Sequence, residues 1–147
     1  MSRAVSLLLT LCLLFAAVPA VAGDKVPWDS LTSVQWVPVG DGGDEYEIAW
    51  PEEALALKDT TVTITGFMFP LDEASENQSH FLLTGIPMAG CTFCVDFGPE
   101  SVVEIKLDGA LEYSAGRVTV VGKLELLEDD PTGLFYRIQN GKGRHGG

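Results

Sequence analysis

Two cysteines three positions apart, in Gly90-Cys91-Thr92-Phe93-Cys94, are the residues of this chain best suited to chemistry. Thiols at that spacing can close a disulfide, grip one metal ion or exchange electrons with another dithiol. In an oxidising compartment a bridge is the default. A Cys-x-x-Cys bridge closes a tiny loop, so it would constrain little of the unfolded chain and serve mainly to fix the local bend. Thiol exchange needs a stabilised thiolate, usually at a helix N-terminus. Here Gly98-Pro99 stops any helix quickly, and no Lys, Arg or His lies within ten positions of the pair. Asp96 and Glu100 oppose a thiolate, so redox catalysis by Cys91 and Cys94 is the weaker alternative.

Metal binding is the sharper reading. Two thiolates cover half of a structural Zn²⁺ site, which wants four protein ligands, and no second cysteine pair or histidine pair completes it. His80 and Met88 are the additional candidate ligands. The thioethers of Met88 and Met68 beside Cys91 and Cys94 suit Cu(I) better than Zn²⁺. Each has an ordinary alternative, His80 as a strand start and Met68 as core. No nucleophile elbow, phosphate-cradling glycine loop or distinctive carboxylate pair is present. The chain reads as a binding protein more readily than as an enzyme.

The compartment follows from the N-terminus. Residues 1–22 have the form of a secretory signal: Arg3, an apolar run, then Ala20-Val21-Ala22 before Gly23. Cys12 lies inside that run after Leu11 and is discarded with it. Cleavage would leave 125 residues with a formal charge of −13, one unit below the −12 of the whole chain, because Arg3 is the leader's only charge. A periplasmic location is expected, with an envelope protein or a metal ion as partner and no membrane span in the mature chain. So acidic a protein repels nucleic acid and anionic lipid, and the linear sequence contains no run of Lys and Arg to offset that.

Strands dominate the segments that must position the cysteine loop. Thr60–Phe69 is β-branched and aromatic and ends at Pro70, with Gly66 marking a bulge or bend. His80–Thr84 is a second strand. Val102–Leu107 alternates cleanly, Arg117–Leu127 is the longest, and Leu134–Ile138 closes the set. Asp108-Gly109 signals a turn. Pro51–Leu57 reads as one or two helical turns with acidic residues at the positive end of the dipole. Residues 23–45 are an extended lead-in, 46–140 the domain, and 141–147 a flexible glycine-rich tail. The roles of Trp28, Trp36 and Trp50 are left open. About five strands and a short helix predict a mainly β fold, a small OB-like barrel, with a β-sandwich as the alternative.

The strand end Gly66-Phe67-Met68-Phe69-Pro70-Leu71, then Phe81-Leu82-Leu83, then Gly90-Cys91-Thr92-Phe93-Cys94 and Gly98-Pro99-Glu100, resembles the bacterial domain-of-unknown-function family 3299. The closing strand Arg117–Leu124 fits the same pattern. The resemblance implies an exported OB-like domain of Gram-negative bacteria, at times lipoprotein-like, and carries the family's loop cysteine onto Cys91. Many members of that family carry Cys-x-His followed by prolines at this loop, where this chain has Cys-x-x-Cys, so the resemblance assigns no role to Cys94. The family lends fold and location but no reaction. The residues and the resemblance together predict an exported accessory or binding protein acting through the Pro87–Pro99 loop. A thiol–disulfide enzyme and a structural envelope adaptor are the alternatives.

Overall fold

The computed structural model describes residues 23–40, 42, 45–88 and 98–147. A short strand β1 (Asp24–Lys25), a helical turn α1 (Asp29–Thr32), a hairpin of β2 (Gln35–Val39) and β3 (Glu45–Ala49), and helix α2 (Glu52–Leu57) come first. Five long strands follow: β4 (Thr61–Pro70), β5 (Asn77–Thr84), β6 (Val102–Glu112), β7 (Arg117–Leu126) and β8 (Tyr136–His145). A 3-10 turn, Pro99–Ser101, leads into β6.

The long strands close on themselves in the order β4-β5-β6-β8-β7, and β7 returns to pair with β4. All pairings in the ring are antiparallel except β6 with β8. This is a five-stranded barrel of the OB kind, with both α-helical elements placed before the barrel in the chain and only the 3-10 turn within it. The β4–β7 ladder excludes the sandwich, because a sandwich leaves its two sheets unjoined along that line.

Period-2 alternation explains the core. Val62 and Ile64 on β4, Phe81 and Leu83 on β5, and Val103 and Ile105 on β6 all point inward and are buried. The N-terminal segment caps one end: Leu31 is fully buried, and the Tyr136 hydroxyl donates to its carbonyl oxygen at 2.8 Å. Burial pushes the Tyr136 phenol far above its ordinary range, so it remains a donor at every accessible pH.

Gly66 marks a change of partner. Strand β4 pairs with β7 from Thr61 to Phe67 and with β5 from Phe67 to Pro70, without a register break. A Cβ at Gly66 would fall on the Thr84 carbonyl oxygen and within 3.0 Å of the Trp28 ring, so close approach is what demands glycine there. Asp108-Gly109 is not a turn either. Gly109 takes a positive φ of 111° inside β6, which runs on to Glu112.

The expected flexible tail is instead the second half of β8. Residues Lys142–His145 pair with Val121–Val118 of β7. The reason lies in Gly141-Lys142-Gly143-Arg144, which is itself a period-2 pattern. Both glycines face inward, where a Cβ would stand 3.1 Å from Val120 or 3.0 Å from Leu111, and the cations face outward. Likewise, residues 23–45 are more than an extended lead-in, since they hold β1, α1 and most of the hairpin.

Candidate functional site

Cys91 and Cys94 lie outside the described residues, as do Phe93 and Phe97, but the frame that presents them is well defined. The chain leaves the barrel at Thr84 and re-enters at Val102, and these two residues are register partners on β5 and β6. The excursion of residues 85–101 therefore starts and ends at one point on the sheet. Thr84 is buried, and its hydroxyl donates to the Ile86 carbonyl at 2.8 Å, tying down the first turn of the loop. Trp28 supports the same turn. Its indole N–H donates to the Thr65 carbonyl at 2.9 Å, and its ring lies so close to Gly85 that a Cβ there would come within 2.9 Å. On the return side, Ser101 N–H donates to the Gly98 carbonyl at 3.0 Å, and α1 packs against this 3-10 turn. Between them, Ile86 is 51% exposed and Met88 half-buried.

The other two candidate ligands separate. Met68 is buried in the core. His80 sits four residues before Thr84, about 13 Å along β5 from the mouth of the loop. Met88 lies four residues past Thr84, at the start of the excursion. Among the described residues no three His, Cys, Asp or Glu side chains gather in a way that would hold a metal ion.

His80 belongs to a second constellation, on the outer face of the barrel. Glu104 projects outward from β6 yet its side chain is only 9% exposed, because Arg137, Lys106 and the His80 imidazole cover it. His80 Nε2 lies 2.7 Å from Glu104 Oε1, Arg137 Nε donates to Oε2, and Lys106 Nζ is 3.6 Å from Oε1. Arg137 also leans toward Asp130, at 3.8 Å. Burial pushes the Glu104 carboxyl up, but the hydrogen bonds from Arg137 and His80 and the charges of Arg137 and Lys106 outweigh it. The net shift is downward, so Glu104 stays ionised. A carboxylate can only accept, so Nε2 of His80 carries the shared proton and Nδ1 is left for other partners. That is how an imidazole is oriented to accept a proton or a metal.

Sequence reading singled out His80 but missed Glu104, Lys106 and Arg137. The alternation of β6 put Glu104 and Lys106 on one face. What no linear signal contains is that β5 and β8 flank β6 and cover that face with His80 and Arg137.

Two further depressions are open to solvent. One, of about 420 Å³, lies between the β4–β5 turn and the end of β6, lined by Glu73, Glu76, Glu112 and Tyr113. The other, about 270 Å³, lies beside Trp36 and the Glu128–Asp130 turn. Trp36 is half-exposed and packs on Phe135 at 5.4 Å, while Trp50 stacks edge-on against Phe135 and Tyr136. Trp36 and Trp50 thus anchor the hairpin, and Trp28 braces the loop.

Comparison with known proteins places the fold. The crystal structure of a DUF3299 family protein from Pseudomonas aeruginosa PAO1 aligns with this chain at a TM-score of 0.54 and 14% sequence identity. The alignment covers 86% of this chain and 99% of that one. At that identity the likeness establishes a shared fold. No family model and no curated protein matches the sequence. No helix among the described residues is long and apolar enough to cross a membrane.

Proposed function

We propose that this chain is an exported periplasmic binding protein of the DUF3299 type, whose working surface is the β5–β6 loop. Cys91 and Cys94 are its reactive groups, either bridged or holding a soft metal ion such as Cu(I), with Zn²⁺ the less suited ion. The observation that supports this reading is the frame: a long excursion whose two ends meet on the sheet and are clamped by Thr84, Trp28 and the Pro99–Ser101 turn. Functional loops are held in this way by rigid scaffolds. The signal-like N-terminus supplies the compartment, and Met88 at the loop mouth supplies one soft donor.

The test is made on protein purified from the periplasm under native redox conditions. Free thiols are counted with and without reductant, and bound metal is measured by elemental analysis. Two free thiols with one equivalent of copper or zinc, lost in Cys91→Ser and Cys94→Ser, support the metal form. A bridge that resists millimolar glutathione supports the stapled form. A bridge that reduces readily and passes its electrons to a substrate disulfide overturns the binding reading in favour of a thiol–disulfide enzyme.

A further inference from the structure

We infer that the outer face of β7 and β8 is a docking surface for an extended acidic segment of a partner protein. The chain has only nine Lys and Arg residues, and they are scattered in sequence. The barrel gathers six of them, Lys106, Arg117, Lys123, Arg137, Lys142 and Arg144, on the outer wall made by β6, β8 and β7. Their direction follows from their neighbours. Ile105, Val118, Leu124 and Ile138 point into the core, as do Gly141 and Gly143, so the cations between them point out.

Half of these charges are already taken. Arg137 and Lys106 are bound to Glu104, Glu125 lies opposite Arg137, and Lys123 pairs with Asp59 at 2.7 Å. Arg117, Lys142 and Arg144 remain, with no ionic partner among the described residues. Arg117 lies over the Phe67 ring, 5.3 Å from its centroid. Asp108 follows Leu107, the register partner of Gly141, and makes no ion pair with Lys142. The result is a local cationic strip on a strongly anionic protein.

The geometry of the strip selects the partner. Lys142 and Arg144 are alternate residues of a strand and stand about 7 Å apart. Alternate side chains of an extended peptide have the same spacing, so two carboxylates of a Glu-x-Glu segment meet both cations at once. Along the strip one edge of β8 is taken by β7, while β6 pairs with β8 only as far as Gly141; the cations stand on the outer face, so the carboxylates meet them through side chains. A second copy, a nucleic acid or an anionic membrane brings its own extended negative charge against the net −12 of the chain. A short acidic segment meets only the strip.

A fluorescein-labelled heptapeptide with Glu at alternate positions, and its Gln counterpart, test this by fluorescence anisotropy against the purified protein. The Glu peptide is expected to bind, the Gln peptide not. Raising salt from 0.1 to 1 M shortens the screening length from about 10 to about 3 Å and should abolish binding. The double variant Lys142→Gln/Arg144→Gln is expected to bind about tenfold more weakly, from the loss of two ion pairs of ordinary surface strength. Lys25→Gln/Lys58→Gln removes the same charge elsewhere and should leave affinity unchanged. An unaltered circular dichroism melt shows that each variant is folded. The inference is overturned if the two double variants lose affinity equally, if the first loses none, or if anionic vesicles or single-stranded DNA bind where the Glu peptide does not.

Discussion

Replacing Glu104 by Gln removes a negative charge from beneath two cations, Arg137 and Lys106, and the His80 imidazole, while keeping the side chain's shape. An exposed ion pair contributes about 0–1 kcal/mol, whereas breaking a fully buried pair costs about 3–5 kcal/mol. The Glu104 and Arg137 side chains are 9% and 21% exposed, between those limits and nearer the buried one. His80 and Lys106 are close to half-exposed and add less. The expected loss is therefore about 2 kcal/mol at pH 7. In a domain of this size it lowers the melting temperature by about 6–10 °C. The pH dependence is the sharper test. The folded-state carboxyl of Glu104 lies below its ordinary value of 4.5, so the unfolded chain binds the proton more tightly. The stabilisation is then complete above the unfolded pKa and is lost as pH falls through the folded one. Thermal melts of wild type and Glu104→Gln from pH 7 to pH 3 should show a gap that is constant above about pH 5 and narrows progressively as pH falls further. Equal melting temperatures at neutral pH, or a gap that persists undiminished at pH 3, would refute the argument that Glu104 is held as a clamped carboxylate.

Three other perturbations probe the frame. Tyr136→Phe removes the shorter of two hydrogen bonds to the buried Leu31 carbonyl, leaving only the Val34 N–H at 3.4 Å, and should destabilise the protein by about 1 kcal/mol in urea melts, whereas an unchanged midpoint would mean α1 is not docked through that bond. Gly66→Ala forces a Cβ onto the Thr84 carbonyl and the Trp28 ring; about 1–3 kcal/mol should be lost. Faster limited proteolysis in residues 85–101 should accompany it, and cleavage at the wild-type rate would count against Trp28 as the brace of the loop. Ending the chain at Asn140 removes the β7–β8 ladder over Val118–Val121 and exposes buried Val118 and Val120. The truncated protein should bind a hydrophobic dye and lose its cooperative melt. A chain unaffected by the cut would mean that residues 141–147 are a tail after all.

Where a segment has one hydrophobic face, the sequence reads directly into the barrel. Val103, Ile105 and their counterparts on β4 and β7 alternate so regularly that strand existence and core face were legible from pattern alone, whereas the unbroken run Phe81-Leu82-Leu83 of β5 showed a strand but not its face. Glycine misled the reading wherever it stood for contact and not for freedom. Gly66 suggested a bulge or bend, and the strand does change partners there without a bulge; Gly109 suggested a turn, and Gly141 and Gly143 a loose end. In the barrel, a Cβ at Gly66 would run into the Thr84 carbonyl, one at Gly141 or Gly143 would press on Val120 or Leu111, and Gly109 adopts a positive φ within a strand. A glycine in a charged, apolar-poor stretch looks the same in sequence whether it loosens the chain or lets two layers meet.

Charge misled in the opposite direction. Net charge is a sum over the chain, and a sum of −12 reads as uniformly anionic. Residues separated by twenty or more positions in sequence come onto one face when their strands pair: on β8, Arg144 stands opposite Thr119 and Lys142 opposite Val121, each two positions from a cation of β7, Arg117 and Lys123. Which cations meet depends on the strand order, and β8 enters between β6 and β7 by a parallel pairing that no local signal announces. The same crossing brings Arg137 to Glu104. One topological step therefore creates both the clamped carboxylate and the cationic strip. A chain of identical composition with β7 beside β6 would have neither.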